Sequence, residues 1–153
     1  MSRSFQRTSI FPALTVGEQL RLVARGDEAQ VAHVAVTFSL GHLLGQRADT
    51  ISYGDQRRVD IALAVVGRAR VLLLDEPAAG LTVQETADLF GHLTEFVHRD
   101  GLTALIVEHD VDAVFGSCDV VTVLDLGEVI MTDSPGTVRT DPRVIKAYLG
   151  SAG

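Results

Sequence analysis

The 153-residue chain has one cysteine, Cys118, so it can form neither an intrachain disulfide nor a zinc site built from several cysteines. Such a composition suits a reducing compartment. Basic residues are also scarce, because 13 Lys and Arg stand against 20 Asp and Glu and give a formal net charge of -7. This balance argues against a general surface for nucleic acid or for an anionic membrane, and we expect no nucleic-acid partner.

Long apolar segments are missing as well. The N-terminal residues include basic side chains but no apolar run, so they do not form a secretory signal. The longest uncharged stretch, residues 29–46, has about the length of a membrane span, but its glutamine, histidine and serine side chains make it a poor bilayer segment. A hydrophobic fraction of 46% nevertheless excludes disorder, and the length suits one domain.

The pattern of the sequence changes near Thr50. Before it, a T-x-x-E capping box at Thr15 and Glu18 predicts a helix from about residue 16 to residue 26, and a second helix is expected over 31–44. After it, aliphatic runs alternate with amphipathic ones. We expect helices over 56–67, 84–98, 110–115 and 141–150, and strands over 71–75, 103–107, 120–126 and 129–132. This order predicts an α/β fold with a mostly parallel sheet and flanking helices.

Polar residues follow two of the expected strands directly. Asp75 and Glu76 come after the first strand, and Glu108, His109 and Asp110 come after the second. Because the carboxyl ends of parallel strands meet at one sheet edge, a metal-binding carboxylate, a second carboxylate able to activate water and an imidazole could share one crevice. The alternative is that these acidic residues only cap the helices that follow. Spacing alone leaves both interpretations open.

A serine and a glycine, Ser52 and Gly54, stand directly before the helix expected over 56–67. Free N–H groups at a helix N-terminus can bind phosphate, and glycine lets the backbone approach it closely. The same S-x-G pattern also occurs as an ordinary helix cap.

Taken together, in this order and spacing, the segments resemble the nucleotide-binding subunit of ABC transporters. Residues 51–55 are similar to the LSGGQ signature, 71–76 to the Walker B strand with its acidic end, and 79–82 to the D-loop. His109 corresponds to the switch histidine and Gln6 to the Q-loop glutamine. The resemblance runs from about residue 1 to residue 150, and five separated motifs agree.

Three details of this resemblance point to one branch of the family. The S-Y-G form of the signature, the E-P-A-A-G-L run over 76–81 and the C-terminal run over 141–150 resemble importers of branched-chain amino acids and related amides. The resemblance implies a P-loop NTPase-like ABC core without its first strands, plus a short helical subdomain. Within residues 1–150 it places the Q-loop and helical subdomain in 1–50, the signature, Walker B, D-loop and switch-histidine core in 51–133, and a helical tail in 134–150.

The resemblance also implies ATP and Mg²⁺ as cofactors. The implied partners are a second ATPase subunit, arranged head to tail, and transmembrane permease subunits at the inner face of the cell membrane. The implied catalytic residues are Glu76, which would polarise the attacking water, and His109, which would contact the γ-phosphate. The other implied site residues are Asp75 and Gln6 for the metal, with Gln6 also linking the site to the membrane subunit, and Ser52, Gly54 and Asp55 for the γ-phosphate of a nucleotide held by the opposite subunit.

The chain also departs from the family pattern. It contains no G-x-x-x-x-G-K-[ST] phosphate loop, and its only lysine, Lys146, lies in the tail. In the family that loop precedes the Q-loop, and this sequence begins almost at the Q-loop. Asp55 stands where the signature usually has glutamine, which places a carboxylate near an anionic phosphate. Thr82 replaces the usual Asp or Asn of the D-loop, and the region between residues 6 and 51 is shorter than the family's helical subdomain.

Three hypotheses follow from the sequence. In the first, the chain is part of the ATP-binding subunit of an importer, and the isolated chain does not hydrolyse ATP because it lacks the phosphate loop. In the second, it is a non-catalytic module that lends its signature motif to an intact ATPase. In the third, it is an unrelated α/β phosphate-binding or phosphoacceptor domain that uses Asp75.

Overall fold

The computed structural model describes residues 2–3 and 10–149, so the expected Q-loop glutamine, Gln6, lies outside the described residues. The chain divides into two compact units, residues 1–109 and residues 110–153. The subdivision at residues 50 and 133, which was based on motif content, stays a prediction.

Each α-helix of the first unit begins after a residue whose side chain accepts a hydrogen bond from the first turn. Helix α1 (Val16–Val23) begins at Thr15, whose capping box with Glu18 is present as predicted. The cap of the next helix, at Asp27, was not foreseen. The remaining helices of this unit are α2 (Glu28–Thr37), a 3₁₀ turn (Gly41–Leu43), α3 (Tyr53–Val66) and α4 (Val83–Asp100).

The predicted helix over 31–44 is shorter in the structure, where α2 ends at Thr37. Ser39 adopts a left-handed backbone with φ of 54°, which is incompatible with a continuing right-handed helix. The chain then forms only the short 3₁₀ turn.

A three-stranded parallel sheet runs through the first unit in the order β1 (Ser2–Arg3), β2 (Val71–Asp75), β3 (Thr103–Val107). The bounds of β2 and β3 agree with the predicted strands. In their register Asp75 lies opposite Val107. The carboxyl ends of the two strands therefore meet at one edge, and the polar residues that follow each strand are neighbours.

One face of this sheet is buried beneath the helices. Leu72 and Leu74 of β2 are buried, and Ala104 and Ile106 of β3 pack against the same core. The helices contribute the remaining core side chains, among them Val16, Leu20, Val34, Phe38, Val59, Ile61, Val65, Leu89, Leu93 and Phe96. Because side chains alternate along a strand, the opposite face carries Leu105, which is 61% exposed within the chain.

The second unit has its own small core around a β-hairpin. Strands β4 (Val121–Asp125) and β5 (Glu128–Asp133) pair antiparallel, and the buried residues are Val121, Val123, Val138 and Val144. Helices α5 (Val111–Ser117), α6 (Pro135–Thr140) and α7 (Pro142–Val144) and a π-helical turn (Ile145–Leu149) complete the unit.

The hairpin corrects part of the predicted topology. The strand–helix–strand order suggested that the strand at 120–126 would join the parallel sheet. Among the described residues, β4 instead pairs only with β5, and the turn at Leu126 and Gly127, both with positive φ, folds the chain back between the two strands. Within the same residues the parallel sheet consists of β1, β2 and β3.

Within the described ranges, no helix has the combination of length and apolar character that a membrane span requires.

Candidate functional site

The structure brings Glu76 and His109, the two predicted catalytic residues, together at the carboxyl edge of the sheet. Glu76 follows β2 directly, and its N–H donates to the carbonyl of Val107 over 2.8 Å, which fastens the turn to β3. His109 follows β3 by two residues. Its Nδ1 lies 4.0 Å from Oε1 of Glu76, and both side chains reach the surface. A carboxylate and an imidazole thus face one accessible point.

Glu108 has a structural part in this arrangement that its position in the sequence did not reveal. Its side chain is only 1% exposed, and its carboxylate accepts hydrogen bonds from the backbone N–H groups of Ala78 (2.8 Å) and His109 (2.9 Å). The carboxylate therefore connects the turn after β2 to the end of β3. Its Oε2 also lies 3.6 Å from Nδ1 of His109, so the imidazole stands between the buried carboxylate of Glu108 and the more exposed one of Glu76.

Asp75, the predicted metal residue, is the half-buried last residue of β2. In the part of the chain that the structure describes, no three His, Cys, Asp or Glu residues cluster closely enough to hold a metal ion. Mg²⁺ commonly keeps several waters and takes one or two carboxylates together with substrate phosphates. One carboxylate at this edge fits a Mg²⁺ that arrives with a nucleotide, but it does not fit a metal caged by the protein.

Ser52 caps helix α3. Its Oγ accepts a hydrogen bond from the N–H of Asp55 (3.1 Å) and donates one to the Asp55 carboxylate (2.8 Å). The capping interpretation is therefore correct. It does not exclude a ligand, because a hydroxyl can turn from Asp55 to an incoming oxygen and the helix N-terminus carries a positive partial charge.

Gly54 is packed against another side chain of the same chain. A Cβ at this position would lie 2.4 Å from Oε1 of Glu85, so a larger residue would require the Glu85 side chain to move. Glu85 is held there by the N–H (2.8 Å) and the hydroxyl (2.7 Å) of Thr82, and these bonds lower the pKa of Glu85 below its ordinary value. The close approach of Glu85 is thus one reason for a glycine at this position that does not involve a phosphate.

The charges around Ser52 only partly suit a phosphate. The Asp55 carboxylate pairs with Arg58. The Glu85 carboxylate is close to this pair, so that Asp55 raises its pKa and Arg58 lowers it. Two carboxylates and one guanidinium therefore surround the start of α3. The Ser52 hydroxyl and the helix N-terminus fit an anionic oxygen, whereas Asp55 and Glu85 oppose it.

The predicted D-loop packs onto the predicted signature within the same unit. The hydroxyl of Tyr53 donates to the carbonyl of Ala79 over 3.2 Å, and its ring lies against Gly80, whose φ is +79°. Thr82, which replaces the usual D-loop acid, is the N-cap of α4 and forms a capping box with Glu85. The threonine at this position therefore stabilises the first turn of α4.

Arg57 was not singled out from the sequence, although it is central to the site. It is completely buried, and it donates from Nε to the carbonyl of Pro77 and from Nη2 to the carbonyl of Glu76, both over 2.8 Å. The available signal was its spacing. Residues 57, 61 and 65 lie four apart on one face of α3, and Ile61 and Val65 are core residues.

Both the sequence and the fold resemble those of known proteins. The model of the family described as "ABC transporter" matches residues 1–79, just over half of the chain. The model described as "Branched-chain amino acid ATP-binding cassette transporter" matches residues 128–153.

Curated relatives carry related descriptions. The chain is 39% identical over 121 residues to the high-affinity branched-chain amino acid transport ATP-binding protein BraF of Pseudomonas aeruginosa, covering 79% of this chain and 48% of that protein. It is 40% identical over 107 residues to LivG of Escherichia coli K12, which has the same description, covering 70% of this chain and 42% of that protein. The chain thus spans about half the length of the curated relatives it matches.

Solved structures share the fold. CbiO1 from Clostridium perfringens, part of the ABC transporter complex cbiONQ, aligns with a TM-score of 0.84 at 28% identity, over 99% of this chain and 63% of that chain. The ADP conformation of MJ1267, an ATP-binding cassette of an ABC transporter, aligns with a TM-score of 0.80 at 26% identity, over 98% of this chain and 68% of that chain.

The capping box at Thr82 yields a prediction for stability. Thr82→Ala is expected to lower the free energy of unfolding by about 1 kcal/mol, because the first turn of α4 loses its side-chain acceptor. Thr94→Ala, inside the same helix, is the control and should have a smaller effect.

The effect of Thr82→Ala should also depend on pH. Because the pKa of Glu85 is lowered in the folded chain, the contribution of its carboxylate to the free energy of unfolding is present above the ordinary glutamate pKa and is lost as the pH falls below it. The loss measured by urea denaturation should therefore shrink in acid, and a loss that grows in acid would contradict this account.

Proposed function

Because this chain belongs to the ABC transporter family, we propose that it is part of the ATP-binding subunit of an importer, coupling ATP binding and hydrolysis to the transport of branched-chain amino acids or related amides. The observation that carries the proposal is the approach of Glu76 and His109 to 4.0 Å at the sheet edge. The descriptions of BraF and LivG support the substrate class.

Each residue of the edge has a proposed part. Asp75 holds Mg²⁺ through water, and the metal, when bound, neutralises phosphate charge. Glu76 accepts a hydrogen bond from the attacking water and orients it, while His109 donates to the γ-phosphate. Ser52, beside Gly54 and Asp55, contacts a nucleotide held mainly by a second ATPase subunit. Permease subunits at the inner face of the cell membrane are the proposed transport partners.

The isolated 153-residue polypeptide is proposed to be inactive. A phosphate loop supplies backbone N–H groups, a lysine and a hydroxyl to the nucleotide phosphates, and the sequence contains no such motif. Among the described residues, those that directly follow β2 and β3 supply acidic groups and one imidazole to the carboxyl edge, and neither lysine nor arginine is among them.

The purified chain is therefore expected to release phosphate from Mg²⁺-ATP no faster than its Glu76→Gln variant does. The measurement is steady-state phosphate release at saturating ATP. Mg²⁺-dependent turnover that disappears in Glu76→Gln would overturn the proposal of inactivity and would at the same time establish Glu76 as catalytic.

A second function is favoured by the state of the Ser52 turn. The turn is fully formed, capped by its own side chain and supported by Tyr53 through Ala79. The chain could thus act as a non-catalytic module that lends this turn to an intact ATPase partner.

Mixing the chain with a complete ATP-binding subunit of the same importer type separates the two functions. The lending function predicts stimulated hydrolysis that falls in Ser52→Ala of this chain and is unaffected by Glu76→Gln, because the partner supplies its own carboxylate. If both variants lose the stimulation equally, the result would favour a direct role for Glu76 of this chain in ATP hydrolysis. Absence of stimulation would contradict the lending function.

A further inference from the structure

We propose that Arg57 is a positioning residue: its buried guanidinium fixes the turn of residues 76–79, and with it the carboxylate of Glu76 opposite His109, from the helix that begins at Ser52. The assignment of Glu76 to a reacting water rests on the proposed function. The fixation of the turn does not, and it can be measured without nucleotide.

The first support is the geometry of the guanidinium. Arg57 is completely buried, and two of its nitrogens donate to consecutive carbonyls, those of Glu76 and Pro77, over 2.8 Å each. Its third nitrogen lies 3.6 Å from the Asp60 carboxylate, which balances the buried charge. Charge-assisted hydrogen bonds of this kind are stronger than neutral ones, and the planar fork fixes direction as well as distance.

The second support is the backbone of Glu76. Its φ of +46° lies in the left-handed region, which a residue with a side chain adopts only when its surroundings impose it. Its N–H donates to Val107 and its carbonyl accepts from Ala79 N (3.2 Å) in addition to Arg57. Both polar backbone groups of Glu76 are therefore fixed, and this sets the direction of the Cα–Cβ bond from which its carboxylate side chain extends.

The third support is a second buried charge that acts on the same turn. Glu108 accepts from the N–H of Ala78, next to the carbonyls that Arg57 holds, and from the N–H of His109. Arg57 thus binds the carbonyls of the turn while Glu108 binds one of its N–H groups and orients the histidine. Together they determine the separation between Glu76 and His109.

This connection also joins the two parts of the candidate site. Arg57 lies on the second turn of α3, whose first turn is capped by Ser52. Tyr53 makes a further contact with the same region through Ala79. A displacement of the Glu76 turn is therefore transmitted to the start of α3, and a displacement of the start of α3 is transmitted to the Glu76 turn.

The test compares Arg57→Gln and Arg57→Lys with Arg68→Gln, the control. Arg68 lies just beyond the C-terminal end of the same helix and donates to the Asp27 carboxylate over 2.6 Å, and none of the hydrogen bonds that the structure shows for it reaches residues 76–79 or the start of α3. The readouts are the carbonyl ¹³C shifts of Glu76 and Pro77 and the hydrogen exchange of the Glu76 and Ala79 amides. Lysine keeps a positive charge beside Asp60 but cannot form the two-pronged contact, so it separates charge balance from positioning.

In Arg57→Gln both carbonyl shifts are expected to move, and the Glu76 and Ala79 amides to exchange at least about tenfold faster, because hydrogen bonds to a charged group are lost. Arg57→Lys should recover part of both effects. In Arg57→Gln the amides of α1, and in the Arg68→Gln control the amides of Glu76 and Ala79, should exchange less than about threefold faster.

Unchanged carbonyl shifts in both Arg57 variants would overturn the proposal. So would exchange that rises equally in every helix, because Arg57 would then stabilise the fold without positioning the turn. If Arg57→Gln does not fold, the test rests on Arg57→Lys and on the rate at which the Nε proton of Arg57 in the unaltered chain exchanges with solvent. That proton should exchange far more slowly than those of exposed arginines such as Arg21, and rapid exchange would contradict the proposal.

Discussion

A buried guanidinium is the constraint on which the rest of the candidate site depends. Removing the charge of Arg57 from water has a large free-energy cost, which is compensated only if every donor finds an acceptor. The carbonyls of Glu76 and Pro77 accept hydrogen bonds from it, and the Asp60 carboxylate lies 3.6 Å from Nη1 and balances the charge. Because those carbonyls belong to the turn after β2, the requirements of one side chain in α3 also determine where the predicted catalytic carboxylate stands.

The two interpretations of the Ser52 turn are compatible in the structure. Ser52 is a helix cap, and Gly54 leaves room for the Glu85 side chain. Both residues therefore contribute to local structure in the absence of a phosphate. The Ser52 hydroxyl and the N-terminus of α3 are nevertheless exposed. The charges of Asp55 and Glu85 indicate that any anion bound there needs further positive groups from a partner.

Much of the fold could be predicted because it depends on local signals. The capping box at Thr15, the aliphatic runs of β2 and β3 and the polar residues after them all have short-range signatures, and parallel pairing then brings Glu76 to His109. The sequence predicted both β4 and β5, but not that β4 pairs only with β5 among the described residues, because pairing partners are not encoded in one strand. The buried contacts of Arg57, the structural role of Glu108 and the contact between Gly54 and Glu85 were not predicted for a similar reason, since each depends on an element distant in sequence.

The central claim is that the start of α3 and the turn of residues 76–79 form one cooperative unit. Native-state hydrogen exchange of the unaltered chain in low concentrations of urea tests it most directly. The account predicts that the amides of Asp55, Gln56, Glu76 and Ala79 open together, with the same free energy and the same dependence on urea. If the Glu76 and Ala79 amides open in a separate transition of lower energy, the two segments are independent and the claim is wrong.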